Sequence, residues 1–377
     1  MKSLMKTFCA MLVVAVGFMP CASACTSLRV KTADGLVFYA RTMEGGELFN
    51  SSVSVIPKGT EYIGTLSDGR QAGLAWTTKY GMVGMNTYGL PVITDGMNDA
   101  GLAAGNLMFP GYAGYQTFDP AQAASTIAQY EVVTWILSNF ATVGEVKDAI
   151  KHIRVSKGPE ALVGNLPLHY TVHDSKGDSI VIEYVAGELH VYDNPLGVMT
   201  NSPTFDWQLT NLHNYANLSA TNPESFTVAG LKETGFGQGA GMLGLPGDYT
   251  PPSRFVRMVA LVHSALPVTG ADAGLNLAMT IINNIDVPIG SVRDKSTKDV
   301  VYDQTQWTTV SDLSRKRFYF RTYDNKDWRV VDVTKALVNA KGIMTITAAT
   351  PAEYQDITAN AKAFGPLPAK YYPAGKP

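Results

Sequence analysis

The sequence predicts an α+β fold, a four-layer αββα sandwich in which two antiparallel sheets are stacked between two helical layers. Strand-like segments come first, followed by two helices, more strands, two more helices and final strands, whereas a parallel sheet needs regular βαβ alternation. Hydrophobic residues make up 46% of the chain and charged residues 16%, which favours a large core and excludes disorder. No internal repeat or linker interrupts residues 25–377, so a single domain is expected there.

The first two strands are predicted to form a hairpin around Asp34-Gly35. Cys25–Lys31 and Leu36–Arg41 both alternate as strands do, and Asp-Gly between two such runs is a strong hairpin signal. With a two-residue loop, Glu44 would lie opposite Cys25.

The remaining elements follow from periodicity and turn residues. Strands are predicted at Val53–Pro57, Gly73–Trp76, Gly81–Met85, a hairpin within Asp95–Asn106, Leu168–His173, Ser179–Val185, Glu188–Tyr192, Gly197–Thr200, Gln306–Ser311, Lys316–Thr322 and Trp328–Asp332. Helices are predicted at Ala121–Phe140, Val143–Ile153, Phe205–Leu218, Ser253–Leu266 and Ala271–Asn284. The glycine-rich loop Gly235–Asp248 is a candidate binding or lid segment, and the tail from Pro351 is expected to wrap the surface.

Residues 1–24 have the pattern of a secretory signal peptide. Lys2 and Lys6 precede an apolar run, and Ala22-Ser23-Ala24 is a small-residue cleavage site. Cleavage there would leave Cys25 first in a periplasmic or secreted protein. Its thiol would then share a residue with a free α-amine, which titrates near pH ~8 and can take the thiol's proton.

Two alternatives remain open for Cys25. Cleavage elsewhere would leave an ordinary buried thiol. A lipoprotein would carry lipid on this cysteine, but a lipobox usually has a leucine-like residue where Ala22 stands. The Ala-Ser-Ala pattern therefore favours simple cleavage.

Composition limits the partners of the chain. The formal net charge is −2 and no basic run stands out, so nucleic acid is an unfavourable partner. No apolar stretch after residue 24 approaches the ~20 residues that span a bilayer. Cys9 and Cys21 leave with the signal, so the mature chain has no internal disulfide. The six histidines lack metal-site spacing and are interpreted as structural.

Several segments in one order resemble the choloylglycine hydrolase family of N-terminal-nucleophile (Ntn) hydrolases, which holds conjugated bile salt hydrolases and penicillin V acylases. The segments are Cys25-Thr-Ser, Ala40-Arg-Thr-Met-Glu44, Asp95-Gly-Met-Asn-Asp-Ala-Gly-Leu102, Asn194-Pro-Leu-Gly-Val-Met-Thr-Asn-Ser-Pro-Thr-Phe-Asp206 and Gly244-Leu-Pro-Gly-Asp-Tyr-Thr-Pro-Pro-Ser-Arg-Phe255. The resemblance implies the αββα fold and hydrolysis of a linear amide, with no metal or organic cofactor. Homotetramers are common in that family.

The resemblance also implies roles for individual residues. Cys25 would form the acyl-enzyme, and Arg41 matches the arginine that favours its thiolate. Glu44 stands where the family usually has Asp to hold the α-amine, and it is one methylene longer. Arg254 matches a second arginine, in a charged network with Cys25, Glu44 and Asn201.

Two donors to the oxyanion are also implied. Asn201 matches the asparagine whose amide donates to the developing negative oxygen. Met108 stands where bile salt hydrolases commonly have Asn and penicillin acylases Tyr, so only its main-chain N–H is a candidate. Asn106, two residues earlier, could substitute only if the loop bulged.

The substrate is expected to be a small N-acyl amide. Penicillin V or an N-acyl homoserine lactone ranks ahead of conjugated bile salts, because Met108 replaces the asparagine. Two rivals remain: a non-catalytic secreted binding protein that lost turnover through Glu44 and Met108, and a papain-like Cys/His hydrolase, which would need a histidine beside an internal cysteine.

Overall fold

The computed structural model describes residues 24–159, 166–295, 299–362 and 365. In chain order the strands are β1 Thr26–Lys31, β2 Val37–Gly45, β3 Ser52–Ile56, β4 Glu61–Thr65, β5 Gln71–Thr77, β6 Met82–Met85, β7 Asp95–Asn98, β8 Leu102–Met108, β9 Thr126–Ala128, β10 Arg154–Ser156, β11 Leu168–Asp174, β12 Ser179–Val185, β13 Glu188–Asp193, β14 Phe226–Val228, β15 Leu231–Glu233, β16 Val292–Asp294, β17 Val301–Asp312, β18 Arg317–Thr322, β19 Arg329–Asp332 and β20 Met344–Thr347. The α-helices are α1 Val132–Asn139, α2 Val143–Ala149, α3 Phe205–Asn211, α4 Pro251–Ser264, α5 Ala271–Ile282 and α6 Val333–Asn339.

Two antiparallel sheets form the centre of the molecule. The first has the strand order β1-β2-β17-β18-β19, with β16 also paired to β17, and the second has the order β13-β12-β11-β8-β7-β6-β3-β20. Helices α4 and α5 pack on β1 of the first sheet, while α1 packs on β7 and β8 and α2 on β11 of the second. The predicted four-layer αββα architecture is therefore confirmed.

The first hairpin differs from its predicted register by one residue. Thr26 pairs with Thr42 and Lys31 with Val37, so Met43, not Glu44, comes opposite Cys25. The loop is longer than two residues because the N–H of Leu36 donates to Thr32 Oγ1 at 2.9 Å, and Gly35 takes a positive φ of 88°. A three-residue loop with glycine in this conformation is a common hairpin closure.

The predicted long helix over 121–140 is wrong in its first half. A 3₁₀ turn at Pro120–Ser125 leads into β9, and the α-helix begins only at Val132. Hydrogen bonds of Glu131 explain the late start of the helix. Its buried carboxylate accepts from the N–H of Ala128 at 2.8 Å and from Thr65 Oγ1 at 2.7 Å. These bonds hold residues 126–128 extended beside β10.

Other differences are smaller. No strand forms over 197–200, where Met199 makes only an isolated bridge to Ser27. The helix predicted from Phe205 ends at Asn211 and continues as a 3₁₀ turn, and the glycine-rich loop contains another 3₁₀ turn at Ala240–Met242. The short strands β4, β10, β14, β15, β16 and β20 were not predicted. Part of the C-terminal tail lies outside the described residues, and residues 351–362 are almost all exposed.

Helices that could cross a bilayer are not found among the described residues. The apolar core of the described residues consists of two clusters. One cluster joins the first sheet to the inner face of the second, and the other lies between the second sheet and α1.

Gly105 lets the two sheets approach around a buried polar group. A Cβ at this position would lie 2.5 Å from Tyr39 Oη and 2.7 Å from Asp95 Oδ1, and 3.5 Å from Arg41 Nη1. These three side chains fill the space that a larger residue would need. The glycine is therefore required by packing, not by backbone conformation.

We expect Gly105→Ala to destabilise the fold by about 1–3 kcal/mol, because the added methyl must displace buried, hydrogen-bonded side chains. Urea unfolding followed by circular dichroism measures the change.

Gly144→Ala is the matched control, since this glycine lies in α2 and an added Cβ would meet nothing within 4 Å. Its free energy of unfolding should stay unchanged or rise by up to about 1 kcal/mol. Equal stability of the two variants would contradict the steric role of Gly105.

Candidate active site

Cys25 lies immediately before β1 and is fully buried. Its Sγ is 3.5 Å from Sδ of Met43 and 3.7 Å from Nη2 of Arg41. The predicted proximity of this cysteine to the 41–44 segment is therefore confirmed, although Met43 was not singled out from the sequence. Methionine contributes a polarizable, uncharged surface beside the thiol.

Arg41 is held between the two sheets. Its Nη1 donates to the carbonyl oxygen of Thr94 at 3.1 Å, its guanidinium lies 5.1 Å from the ring centroid of Trp307, and its Nη1 is 3.8 Å from Asp95 Oδ1. Burial lowers the pKa of Arg41, but the charges of Cys25 and Asp95 outweigh that effect and raise it. The group therefore remains a cation beside the sulfur.

Asp95 is the buried counter-charge of Arg41. Its carboxylate accepts hydrogen bonds from Tyr39 Oη and from Thr309 Oγ1, both at 2.7 Å. Burial raises the pKa of Asp95, while Arg41 and the two hydroxyl donors oppose the rise. Asp95 belongs to a family motif but had no role predicted from the sequence, because its contact with β2 depends on how the sheets stack.

Arg254, on the buried face of α4, connects Cys25 to Asn201. Its Nη1 donates to the carbonyl oxygen of Cys25 and to Thr26 Oγ1, and its Nη2 donates to Asn201 Oδ1 at 2.7 Å. Its Nε donates to the carbonyl oxygen of Tyr249. The predicted network of Arg254 with Cys25 and Asn201 is therefore present, and Thr26 is a member that sequence reasoning missed.

Glu44 points from β2 toward the helical layer that contains Arg254. Thr42 Oγ1 donates to one carboxylate oxygen at 3.0 Å and Thr305 Oγ1 to the other at 2.8 Å. Burial raises the pKa of Glu44, and the positive charge of Arg254 acts most strongly against that rise. That Glu44 holds the α-amine stays a prediction.

The amide of Asn201 has a defined orientation. Its Oδ1 must face Arg254, which can only donate, so its NH₂ group faces Met108, whose carbonyl oxygen accepts from Nδ2 at 2.7 Å. An amide NH₂ has two hydrogens, and this bond uses one of them. The second hydrogen is the predicted donor to an oxyanion.

The main-chain N–H and C=O of Met108 lie on the side of β8 that faces Asn201. Phe109 N–H donates to Pro167 O, which makes Met108 and Leu168 a non-hydrogen-bonded pair of β8 and β11. The N–H and C=O of Met108 therefore both point away from β11, toward Asn201. The strand stays in register from Leu102 to Met108, so the bulge needed for Asn106 to act as a substitute donor does not form.

An apolar cavity opens beside Cys25. It has about 520 Å³ of empty space, part of it continuous with solvent. Its lining is mostly aliphatic or aromatic and includes Met43, Phe49, Leu90, Val92, Met108, Tyr130 and Leu168, with Cys25 and Arg41 at one wall. Such a cavity suits an apolar acyl group whose carbonyl carbon reaches the sulfur.

A metal centre has no support in the described residues, where no group of three His, Cys, Asp or Glu side chains is placed to hold an ion. His169 and His173 are buried in β11. Burial lowers the pKa of His173, which stacks on Tyr39 with 4.6 Å between ring centroids.

Comparison with known proteins supports the family resemblance found in the sequence. Residues 25–346 match the family model of the linear amide C–N hydrolases, choloylglycine hydrolase family. A bile salt hydrolase/transferase of Clostridium perfringens is 36% identical over 325 residues, which cover 85% of this chain and 96% of that protein.

Solved structures agree with these matches. A crystal structure of a variant of conjugated bile acid hydrolase from Clostridium perfringens has a TM-score of 0.78 and 33% identity, covering 88% of this chain and all of that one. Penicillin V acylase from Agrobacterium tumefaciens has a TM-score of 0.69 and 26% identity, covering 85% and 91%. This chain, in which two buried arginines contact Cys25, belongs to the linear amide C–N hydrolases of the choloylglycine hydrolase family.

Proposed function

We propose that this enzyme hydrolyses the amide bond of conjugated bile salts, releasing glycine or taurine from a steroid acyl group. The observation that carries this proposal is the 36% identity to the bile salt hydrolase/transferase of Clostridium perfringens along 85% of the chain. It reverses the order of substrates expected from Met108 alone. The apolar lining of the cavity beside Cys25 suits the apolar acyl side of such a substrate.

The proposed mechanism uses only groups of this chain. The thiol proton of Cys25 passes to its own α-amine while Sγ attacks the carbonyl carbon. Asn201 and the N–H of Met108 donate to the oxygen that becomes negative, and Arg41 stabilises the thiolate. The α-amine gives its proton to the leaving amine, and water then cleaves the thioester to free acid and thiol.

Hydrolysis of penicillin V is the second candidate. It is supported by the similarity to the Agrobacterium tumefaciens penicillin V acylase and by Met108, which lacks the side-chain amide that bile salt hydrolases commonly have there. N-acyl homoserine lactones belong with this candidate, because they also present a secondary amide next to an apolar acyl group.

A hydrolysis panel separates the candidates. We expect kcat/KM for glycocholate or taurocholate to exceed that for penicillin V and for acyl homoserine lactones by about 10-fold or more, a difference that apolar pocket contacts can produce. Released amine is quantified for each substrate under identical conditions.

Cys25→Ala is the control, and it should lower turnover of every substrate by at least about 10³-fold. Faster hydrolysis of penicillin V than of either bile salt would refute the bile salt assignment. Turnover that survives in Cys25→Ala would refute the mechanism.

We further propose that the chain is exported and that residues 1–24 are removed, because only then does Cys25 acquire a free amine. Intact mass of the exported protein should correspond to a chain that starts at Cys25 and carries no acyl group. Ala24→Asp, which replaces the small residue at the cleavage site, should leave the precursor uncut. A different first residue, or a lipid on Cys25, would contradict the proposal.

Arg254→Lys tests the link between the nucleophile and the oxyanion donor. Lysine has one shorter-reaching nitrogen in place of the planar fork whose three nitrogens reach the carbonyl oxygens of Cys25 and Tyr249 and Asn201 Oδ1, so the amide of Asn201 loses its fixed orientation. We expect kcat/KM to fall by about 10²-fold, the usual cost of one oxyanion donor.

Arg257→Lys is the matched control on the same helix. Arg257 donates to the carbonyl oxygens of Pro246 and Gly247, at 3.3 and 2.9 Å, and not to the catalytic groups. Its kcat/KM should stay within about threefold of the unchanged enzyme. Equal losses in the two variants would indicate that any lysine in α4 perturbs the site.

A further inference from the structure

A buried histidine and glutamate lie directly behind the two oxyanion donors. His169 of β11 and Glu183 of β12 are at most 1% exposed. His169 Nδ1 is 3.0 Å from Glu183 Oε1, and its Nε2 is 2.9 Å from the carbonyl oxygen of Thr200. Sequence reasoning treated all six histidines as structural, and the mechanism above does not use this pair.

The partners define where the hydrogens are. A carbonyl oxygen can only accept, so Nε2 carries a hydrogen that it donates to Thr200. The contact between Nδ1 and Glu183 then needs one more hydrogen, whether it belongs to the imidazole or to the carboxyl group. Glu183 also accepts from the N–H of Phe205 at 3.1 and 3.2 Å, which fixes it at the start of α3. The pair is therefore fully hydrogen-bonded and held on two sides.

The segments of Asn201 and Met108, which supply the proposed oxyanion donors, both contact His169. Thr200, which accepts its hydrogen bond, is the residue before Asn201. The ring of Phe109, the residue after Met108, stacks on the imidazole with 4.3 Å between centroids and 6° between planes. The imidazole thus touches the neighbours of both donors at once.

We propose that His169 is a positioning residue that sets the separation between the Met108 N–H and the Asn201 amide, with Glu183 orienting its ring. The other ties between the two segments are the bond from Asn201 Nδ2 to Met108 O and the bond from Ser202 Oγ to Pro110 O, at 2.7 and 2.6 Å. His169 contacts both segments from within the second sheet. A displacement of about 1 Å at such a site can cost ~10² in rate.

Two reactions of Cys25 test this role without reference to the natural substrate. Acylation by p-nitrophenyl acetate forms a tetrahedral intermediate, in which the sulfur bonds to carbon and the carbonyl oxygen becomes negative before p-nitrophenolate leaves. Alkylation by iodoacetamide forms a sulfur–carbon bond and expels iodide without an oxyanion. The ratio of the two rates therefore reports the oxyanion hole and not the thiol.

The variants are made in a Glu183→Gln background, so that no buried carboxylate loses its partner. Glu183→Gln itself is the control, since the glutamine NH₂ can donate to Nδ1 while its oxygen accepts from Phe205 N–H. In Glu183→Gln/His169→Phe the ring still stacks on Phe109 but nothing donates to Thr200. Glu183→Gln/His169→Gln restores a donor to Thr200.

We expect acylation by the phenylalanine double variant to fall by about 10²-fold, with alkylation within about twofold, the loss typical of one misplaced oxyanion donor. The control and the glutamine double variant should stay near the rate of the unchanged mature chain. An unchanged ratio, or an equal fall of both rates, would overturn the proposal. So would a mature chain whose Cys25 reacts with neither reagent, whereas failure of the substrate panel alone would affect only the proposed substrate.

Discussion

The site depends on the hydrogen bonds that the guanidinium of Arg254 donates. This guanidinium is fully buried, and its three nitrogens donate to the carbonyl oxygen of Cys25, to Thr26, to Asn201 and to Tyr249. A buried cation is tolerated only when acceptors or counter-charges surround it, and here four oxygen acceptors do so. One side chain therefore fixes the start of β1, the loop before α3 and the helix α4 in a single arrangement.

A second buried cation organises the space between the sheets. Arg41 and Asp95 form a buried ion pair between the sheets, and Tyr39 and Thr309 each donate to one oxygen of the carboxylate. The pair can fit only because Gly105 has no side chain at the point of closest approach. The sulfur of Cys25 thus lies beside Arg41, which pairs with Asp95. Arg41 and Asp95 cannot move apart without breaking buried hydrogen bonds.

Periodicity and turn residues were enough to predict most strands of both sheets and the helices α4 and α5, because these segments carry their own hydrophobic pattern. Cys25, Arg41 and Arg254 were also predictable, since the family motifs contain them. The hairpin register was not, because it depends on the bond between Leu36 N–H and the hydroxyl of Thr32. The helix boundary near Val132 likewise depends on Glu131 reaching Thr65, which is distant in sequence.

Asp95 and His169 show why the rest of the site escaped prediction. Asp95 lies in a family motif and His169 in an ordinary strand, yet each makes its main contact with a strand or loop far along the chain. Only the stacking of sheets brings such pairs together. A motif can identify a nucleophile, but the groups that hold the nucleophile's surroundings are defined by tertiary structure.

The burial of Ala24 has a consequence for maturation. Ala24 is 7% exposed and Cys25 is fully buried, so the peptide bond between them is enclosed once β1 has paired with β2. A protease must bind an accessible, extended segment, which the folded chain no longer offers at this point. The proposed removal of residues 1–24 would therefore have to precede folding, because a precursor that folded first would keep the nitrogen of Cys25 in an enclosed peptide bond.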